Sequence, residues 1–206
     1  MSRVLPILFN TEMVRAILDG RKTCTRRICK DANECTVPDM EFYNADKRTY
    51  AVHNFADKKH TEQLSIAERT CPICPGDTLY VRETWMDYAG LTMYKADCDI
   101  YRLDSLNFAG FGWKPSIHMP KGAARIWLKV TDVSVERLQE ITIDDIRNEG
   151  LSSMAVHAGD MEIAIEEWKN LWNSTIKKSD LDRYGWGANP WVWVIEFERC
   201  EKSEGV

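Results

Sequence analysis

The chain has 206 residues, 44% of them apolar, with 27 Lys and Arg against 32 Asp and Glu, giving a net charge of −5. That length allows one sizeable core, and the composition excludes a fibrous repeat, wholesale disorder and indiscriminate wrapping of nucleic acid. No apolar run approaches the roughly 20 residues that span a bilayer, and the stretch before Asn10 is too short for a secretory signal, so the cytoplasm is the expected compartment, without membrane contact.

Val4–Phe9, interrupted by Pro6, reads as a first or edge strand. Asn10 can cap a helix with Glu12 in its first turn; Met13, Val14, Ile17 and Leu18 form one apolar stripe, and Gly20 supplies a left-handed stop. The helix delivers Arg21-Lys22-Thr23-Cys24-Thr25-Arg26-Arg27, inside a stretch from Arg15 to Lys30 that holds six bases and one acid. A threonine hydroxyl becomes a nucleophile only when a base takes its proton, and a lysine crowded by Arg21 and Arg26 can be that base. In a regular strand Lys22 and Thr25 would point to opposite faces, so such a pair predicts an irregular backbone here. The plain alternative is a basic loop whose threonines cap backbone groups.

Residues 30–70 are polar and weakly periodic and read as a long excursion, with one short helix before Cys71. The seven cysteines, at 24, 29, 35, 71, 74, 98 and 200, predict no disulfide framework in a reducing compartment. Cys71-Pro-Ile-Cys74 is the nearest approach to a metal signature. Cys71 and Cys74 could form half of a structural zinc site completed by Cys29, Cys35, His53 or His60; the alternative is two thiols beside the Pro75-Gly76 turn, and no cofactor.

Thr78–Trp85 alternates as a strand, and residues 86–114 form a second excursion. From Lys114 to Lys129 there are four bases, His118 and no acid, and this segment is expected to meet the first basic stretch in one cleft suited to a few phosphates. Ala124–Val135 is a further strand. From Asp132 to Lys169 ten acids oppose three bases. Thr142–Ile146 starts a short helix that ends at Glu149-Gly150, and a longer helix after Asp160 carries Met161, Ile165, Trp168 and Trp172 on a packing stripe. Trp191–Phe197 closes the chain as a strand. Strands at both ends with helices between predict one α+β domain over residues 1–206 with a small closed sheet. There is no GxGxxG and no Walker loop.

Asp19-Gly20-Arg21-Lys22-Thr23, Thr25-Arg26-Arg27 and Pro75-Gly76-Asp77-x-Leu79-x-Val81-Arg82-Glu83-Thr84-Trp85 together resemble the ASCH-domain family of PUA-like folds, in the longer type encoded by phages and prophages. The resemblance continues through Lys114–Pro120, Arg125-Ile126, Glu149-Gly150 and Asn189–Trp193. It implies a β-barrel of about five or six strands with surrounding helices, and a cleft beside the Gly20–Thr23 loop. It also implies binding of RNA or single-stranded nucleic acid, reading of a modified base, or action on a nucleoside. Small bacterial members hydrolyse the acetamide of N4-acetylcytidine. By that likeness Thr25 would be the nucleophile, Lys22 its base, and Glu149 the orienter or proton donor. Arg21, Arg26, Arg27, Arg82, Glu83, Trp85, Ser116, His118 and Lys121 would line the ligand site. Trp85 and Trp113 are the stacking candidates, and His118 is either a cleft donor or a loop residue. Recognition of nucleic acid or a modified nucleoside is the leading expectation; an amidohydrolase, or a nuclease, is the alternative.

Overall fold

The computed structural model describes residues 2–35, 38–43, 48–88, 90–98 and 112–202. The fold is α+β. Its main sheet has five strands in the order β1 (Val4–Leu8), β6 (Thr78–Arg82), β9 (Trp127–Arg137), β10 (Trp191–Cys200) and β2 (Cys24–Ile28). β1 and β6 run parallel, and the other neighbours are antiparallel. The expected closed barrel is absent among the described residues: β1 and β2 are sheet edges that do not pair. A side chain occupies the seam where a ladder would close it, since Arg27 Nη2 reaches from β2 to the carbonyl oxygen of Leu8 at 3.1 Å.

Between these edges runs helix α1 (Thr11–Leu18). The Asn10 side chain accepts the Met13 N–H at 2.9 Å, and Gly20 ends the helix with φ of +75°. Val14 and Ile17 are buried with Leu79, Val81, Leu128, Ile195 and Phe197, while Met13 and Leu18 pack against that core. Burying each large aliphatic side chain contributes about 1.5–3 kcal/mol, so the α1 stripe holds the helix to the sheet more firmly than its helix propensity does.

The single turn α2 (Lys30–Asn33) leads into a region that the sequence left as an irregular excursion. Beyond that one short helix it contains a three-stranded antiparallel meander of β3 (Pro38–Tyr43), β4 (Thr49–Phe55) and β5 (Gln63–Thr70), the last of which leads to Cys71. The alternation is missing for two reasons. Tyr50, Ala51 and Val52 are buried in succession on β4, and residues 61–66 entering and forming the start of β5 are exposed in succession. The second excursion begins as a hairpin, β7 (Trp85–Tyr88) with β8 (Leu91–Tyr94); its residues 99–111 lie outside the described ones.

After β9 come α3 (Ile143–Asn148), α4 (Met154–Ala158) and α5 (Met161–Thr175). Thr142 and Asp145 form a capping box at α3, with the Thr142 N–H donating to Asp145 Oδ2 at 2.9 Å. Ile146, Val156, Ala164, Trp168 and Trp172 make a second apolar cluster against Leu138 and Val192. Among the described residues, no helix is long and apolar enough to cross a membrane.

Candidate functional site

The turn after α1 is sewn to three other elements. The N–H groups of Arg21 and Lys22 both donate to the Ala16 carbonyl, at 2.9 and 3.0 Å. The Thr23 N–H donates to Asn148 O at the end of α3, and the Thr23 carbonyl accepts the Phe197 N–H of β10, each at 2.8 Å. Gly150 lets α3 come this close. Its φ is +95°, and a Cβ there would stand 2.7 Å from Ala16 Cβ and 3.0 Å from Lys22 Cβ.

That approach places Glu149, the C-cap residue of α3, against Lys22. Lys22 Nζ donates to Glu149 Oε2 at 2.6 Å and to its carbonyl oxygen at 2.9 Å, and lies 5.5 Å from the Phe9 ring centroid. Glu149 Oε1 accepts the backbone N–H of Arg26 at 2.7 Å. The Lys22 and Glu149 side chains are 0% and 2% exposed. The Arg26 side chain, also fully buried, donates from Nε to Glu136 Oε1 at 2.7 Å and pairs with Asp145 at 3.5 Å. Burial pushes the Glu136 carboxyl up, with Arg26 opposing, and it pushes the Cys24 thiol up to about 12, the Glu149 charge adding to the effect.

Thr25 sits in regular strand β2, so the irregular backbone expected there stops at Thr23. Its hydroxyl bonds neither Lys22 nor Glu149. Thr25 Oγ1 instead accepts from Arg27 Nη1 at 2.7 Å, the i, i+2 neighbour on the same strand face. Arg27 also donates to Arg26 O at 2.9 Å and packs over the Phe9 ring at 5.3 Å. Among the described residues it has no carboxylate partner, and burial lowers its pKa from the ordinary guanidinium value. Solvent still touches it, whereas Thr25 is 0% exposed.

Thr25, Arg27 and Glu149 form the polar end of a 320 Å³ cavity. The remaining wall comes chiefly from Leu8, Met13, Trp168, Leu171, Trp172 and Ile176, with Asn10 at the α1 side. The sequence reading assigned Trp168 and Trp172 to packing alone; they pack and also line this cavity, and a helical stripe cannot distinguish the two. Phe9, beneath both Lys22 and Arg27, carried no sequence signal as a site residue.

The other expected ligand residues are elsewhere. Arg21 is exposed and donates to Gly150 O at 2.6 Å and to Asp19 at 2.9 Å. Arg82 is spent on the carbonyl oxygens of Met119, at 2.8 Å, and Ile117. Glu83 is 1% exposed and takes two bonds from Arg125, at 2.9 and 3.1 Å. Trp85 is buried with Lys114 Nζ 4.6 Å from its ring centroid. Ser116 and His118 share one 3-10 turn, and Lys121 is exposed with its Nζ 5.9 Å from the Tyr80 ring centroid. None of Arg82, Glu83, Trp85, Ser116, His118 or Lys121 lines the 320 Å³ cavity. The polar side chains of the two basic segments are linked at the sheet edge, where Arg27 bonds Leu8, Leu8 pairs with Arg82, and Arg82 bonds Met119.

At the Cys71–Cys74 turn, Cys71 Sγ donates to Ile73 O at 2.7 Å, and burial pushes this thiol up to about 12. Arg3 Nη2 lies 3.7 Å from Cys74 Sγ, so a guanidinium stands beside the sulfur where a cation would sit. Among the described residues, no three His, Cys, Asp or Glu side chains come together to hold a metal ion.

No protein-family profile matches this chain, and no curated protein sequence does. Among solved structures, it is similar to the ASCH domain from Lactobacillus crispatus JV V101 at 11% identity, over 96% of this chain and 79% of that chain, with a TM-score of 0.38. A likeness of that degree leaves function to be argued from the residues themselves.

Proposed function

We propose that this chain recognises a single nucleobase, either in a free modified nucleoside or displayed by RNA or another single-stranded nucleic acid, in the cavity beside Arg27. The observation that carries the reading is Arg27 itself: a guanidinium fixed by three hydrogen bonds, lacking a carboxylate, on the wall of a mostly apolar cavity. A guanidinium partly withdrawn from water with no carboxylate bonded to it is costly, and an acceptor-bearing ligand relieves that cost. The cavity's 320 Å³ falls at the small end of the roughly 300–1,000 Å³ range of ligand pockets. A base offers what this wall lacks: a flat apolar body for the Trp168 and Trp172 side, and carbonyl and ring-nitrogen acceptors for a guanidinium fork.

Calorimetric titration with nucleosides, N4-acetylcytidine among them, and with short single strands tests this. Arg27→Gln should weaken binding about 10- to 100-fold, as expected for a hydrogen bond to a charged group worth about 1.5–3 kcal/mol. Unchanged affinity in that variant would remove the reading.

Hydrolysis of an acylated base by Lys22, Thr25 and Glu149 is the second reading, and the approach of Thr25 and Glu149 to one cavity end, with Lys22 bonded to Glu149 behind it, favours it. It ranks second because Thr25 has no accessible surface and its oxygen is held by Arg27. Both Lys22 donors seen here are directed at Glu149, and none at the threonine. The plainer role for the Lys22–Glu149 pair is to fasten the α1–β2 turn to α3.

A further inference from the structure

The 320 Å³ cavity does not end at Glu149. A second concavity of 200 Å³ shares Asn10, Met13, Glu149 and Leu171 with it and runs on over Ala16 and Gly150. A third, of 210 Å³, shares Leu151 with the second and is lined by Arg21, Arg147, Asn148, Ser152 and His157. Through these shared residues the three adjoin in series as a trough, lined by Trp168 at one end and by Arg21 and Arg147 at the other.

Backbone carbonyls aim the two arginines at that basic end. Arg21 Nη1 donates to Gly150 O at 2.6 Å, and Arg147 Nη2 donates to Val156 O at 2.9 Å. Each has an acid neighbour: Asp19 for Arg21 at 2.9 Å, and Asp144 for Arg147. Those carboxylates are 58% and 77% exposed, and ion pairs of such exposure hold weakly. A phosphate, with more charge and more acceptor oxygens, displaces them readily. Along the middle stretch, the buried Glu149 is held by Lys22, and Glu12 pairs with Arg15 at 2.9 Å.

We infer that the trough holds a nucleotide unit of a single strand: base at Arg27, sugar over Gly150, and a backbone phosphate at Arg21 and Arg147. This rests on the base-binding reading for its first third. It adds a phosphate site and selects a strand over a free nucleoside, since the trough extends past what a nucleoside needs.

The test uses a fluorescent abasic single strand, the matched nucleoside and its monophosphate, with the wild type, Arg147→Gln, Arg21→Gln and Arg27→Gln. The wild type should bind the abasic strand with an affinity that falls with salt, at a log–log slope of roughly −0.7 for the one phosphate held. Arg147→Gln and Arg21→Gln should each weaken strand binding about 5- to 10-fold and flatten that slope, with nucleoside affinity unchanged. Arg27→Gln should do the reverse. Strand affinity and slope unchanged in both Arg147→Gln and Arg21→Gln would overturn the phosphate site. A monophosphate that binds as tightly as a short single strand carrying the same base would overturn the choice of a strand. If nucleoside binding is absent while the Arg147 and Arg21 effects persist, the base pocket fails and the phosphate site stands.

Discussion

Arg26 and Arg27 are neighbours on β2 with the same charge, yet the pleat sends them into two different regions. Arg26 enters a closed knot of acids, with Glu136 and Glu149 arriving from 110 and 123 residues away. Arg27 faces the cavity, held by Thr25, by backbone carbonyls and by the Phe9 ring, with no carboxylate bonded to it among the described residues. A basic run in sequence is therefore two different things in space. The charge that has been neutralised braces the fold, and the one left without a counter-ion is available to a ligand.

The largest effect should come from opening the knot. Glu149→Gln leaves the Lys22 ammonium and the Arg26 guanidinium without their shared carboxylate, and breaking a buried pair in this way costs about 3–5 kcal/mol. Urea denaturation should show that loss, and adding Lys22→Met should recover part of it by removing the stranded cation. A loss below about 1 kcal/mol would erase the distinction between the two faces, because the Arg26 side would then bear no more of the fold's stability than an ordinary surface pair.

The next effect sharpens the comparison with a second closed knot. Asp77 is fully buried, and it accepts from Arg3 at 2.7 Å, from Arg48 at 2.5 Å, and from the N–H groups of Arg3 and Cys74 at 3.0 and 3.1 Å. Burial alone would raise its pKa; the arginines and N–H donors win and hold it well below the usual carboxylate range. A carboxyl depressed in the folded state stabilises fully above its unfolded value of about 3.9 and loses that contribution as pH falls towards the folded value. Stability should therefore drop as pH is lowered below about 4. Asp77→Asn should be less stable at neutral pH and show a flatter acid limb; an acid limb as steep as the wild type's would assign the drop to other carboxyls.

How much of this could be read in the sequence follows the same division. α1 was legible to its caps, because Asn10, the Met13/Val14/Ile17/Leu18 stripe and Gly20 are local signals. The cores of β6, β9 and β10 were legible, with boundaries a few residues off, because their apolar patterns are strong. The 38–70 meander was not, since buried Tyr50, Ala51 and Val52 in succession and the exposed run over residues 61–66 leave no alternation. At the site, Lys22, Thr25 and Glu149 were singled out from motifs, but the bond from Arg27 to Thr25 was not. It depends on the strand register that puts residues 25 and 27 on one face, and the sequence reading had made that stretch a loop. The disposal of Arg26 could not be foreseen either, because its acids are fixed by the fold of α3 and β9 and not by spacing.

The smallest expected effect is the one that separates recognition from chemistry. Thr25→Val keeps the shape of a buried β-branched residue and deletes only the oxygen that Arg27 Nη1 bonds. One hydrogen bond to a partly solvated charged group is lost, so stability should fall by about 1–2 kcal/mol, well short of the Glu149→Gln loss. The guanidinium keeps its bonds to Arg26 O and Leu8 O, so ligand affinity should fall only a few-fold, against the 10- to 100-fold expected for Arg27→Gln. Wild type and variant should be equally silent in an N4-acetylcytidine hydrolysis assay, since a hydroxyl with no accessible surface meets no substrate carbonyl. Turnover by the wild type that vanishes in Thr25→Val would reverse that order: the cavity wall would have to open, and Arg27 would then be holding a nucleophile ready rather than a base in place.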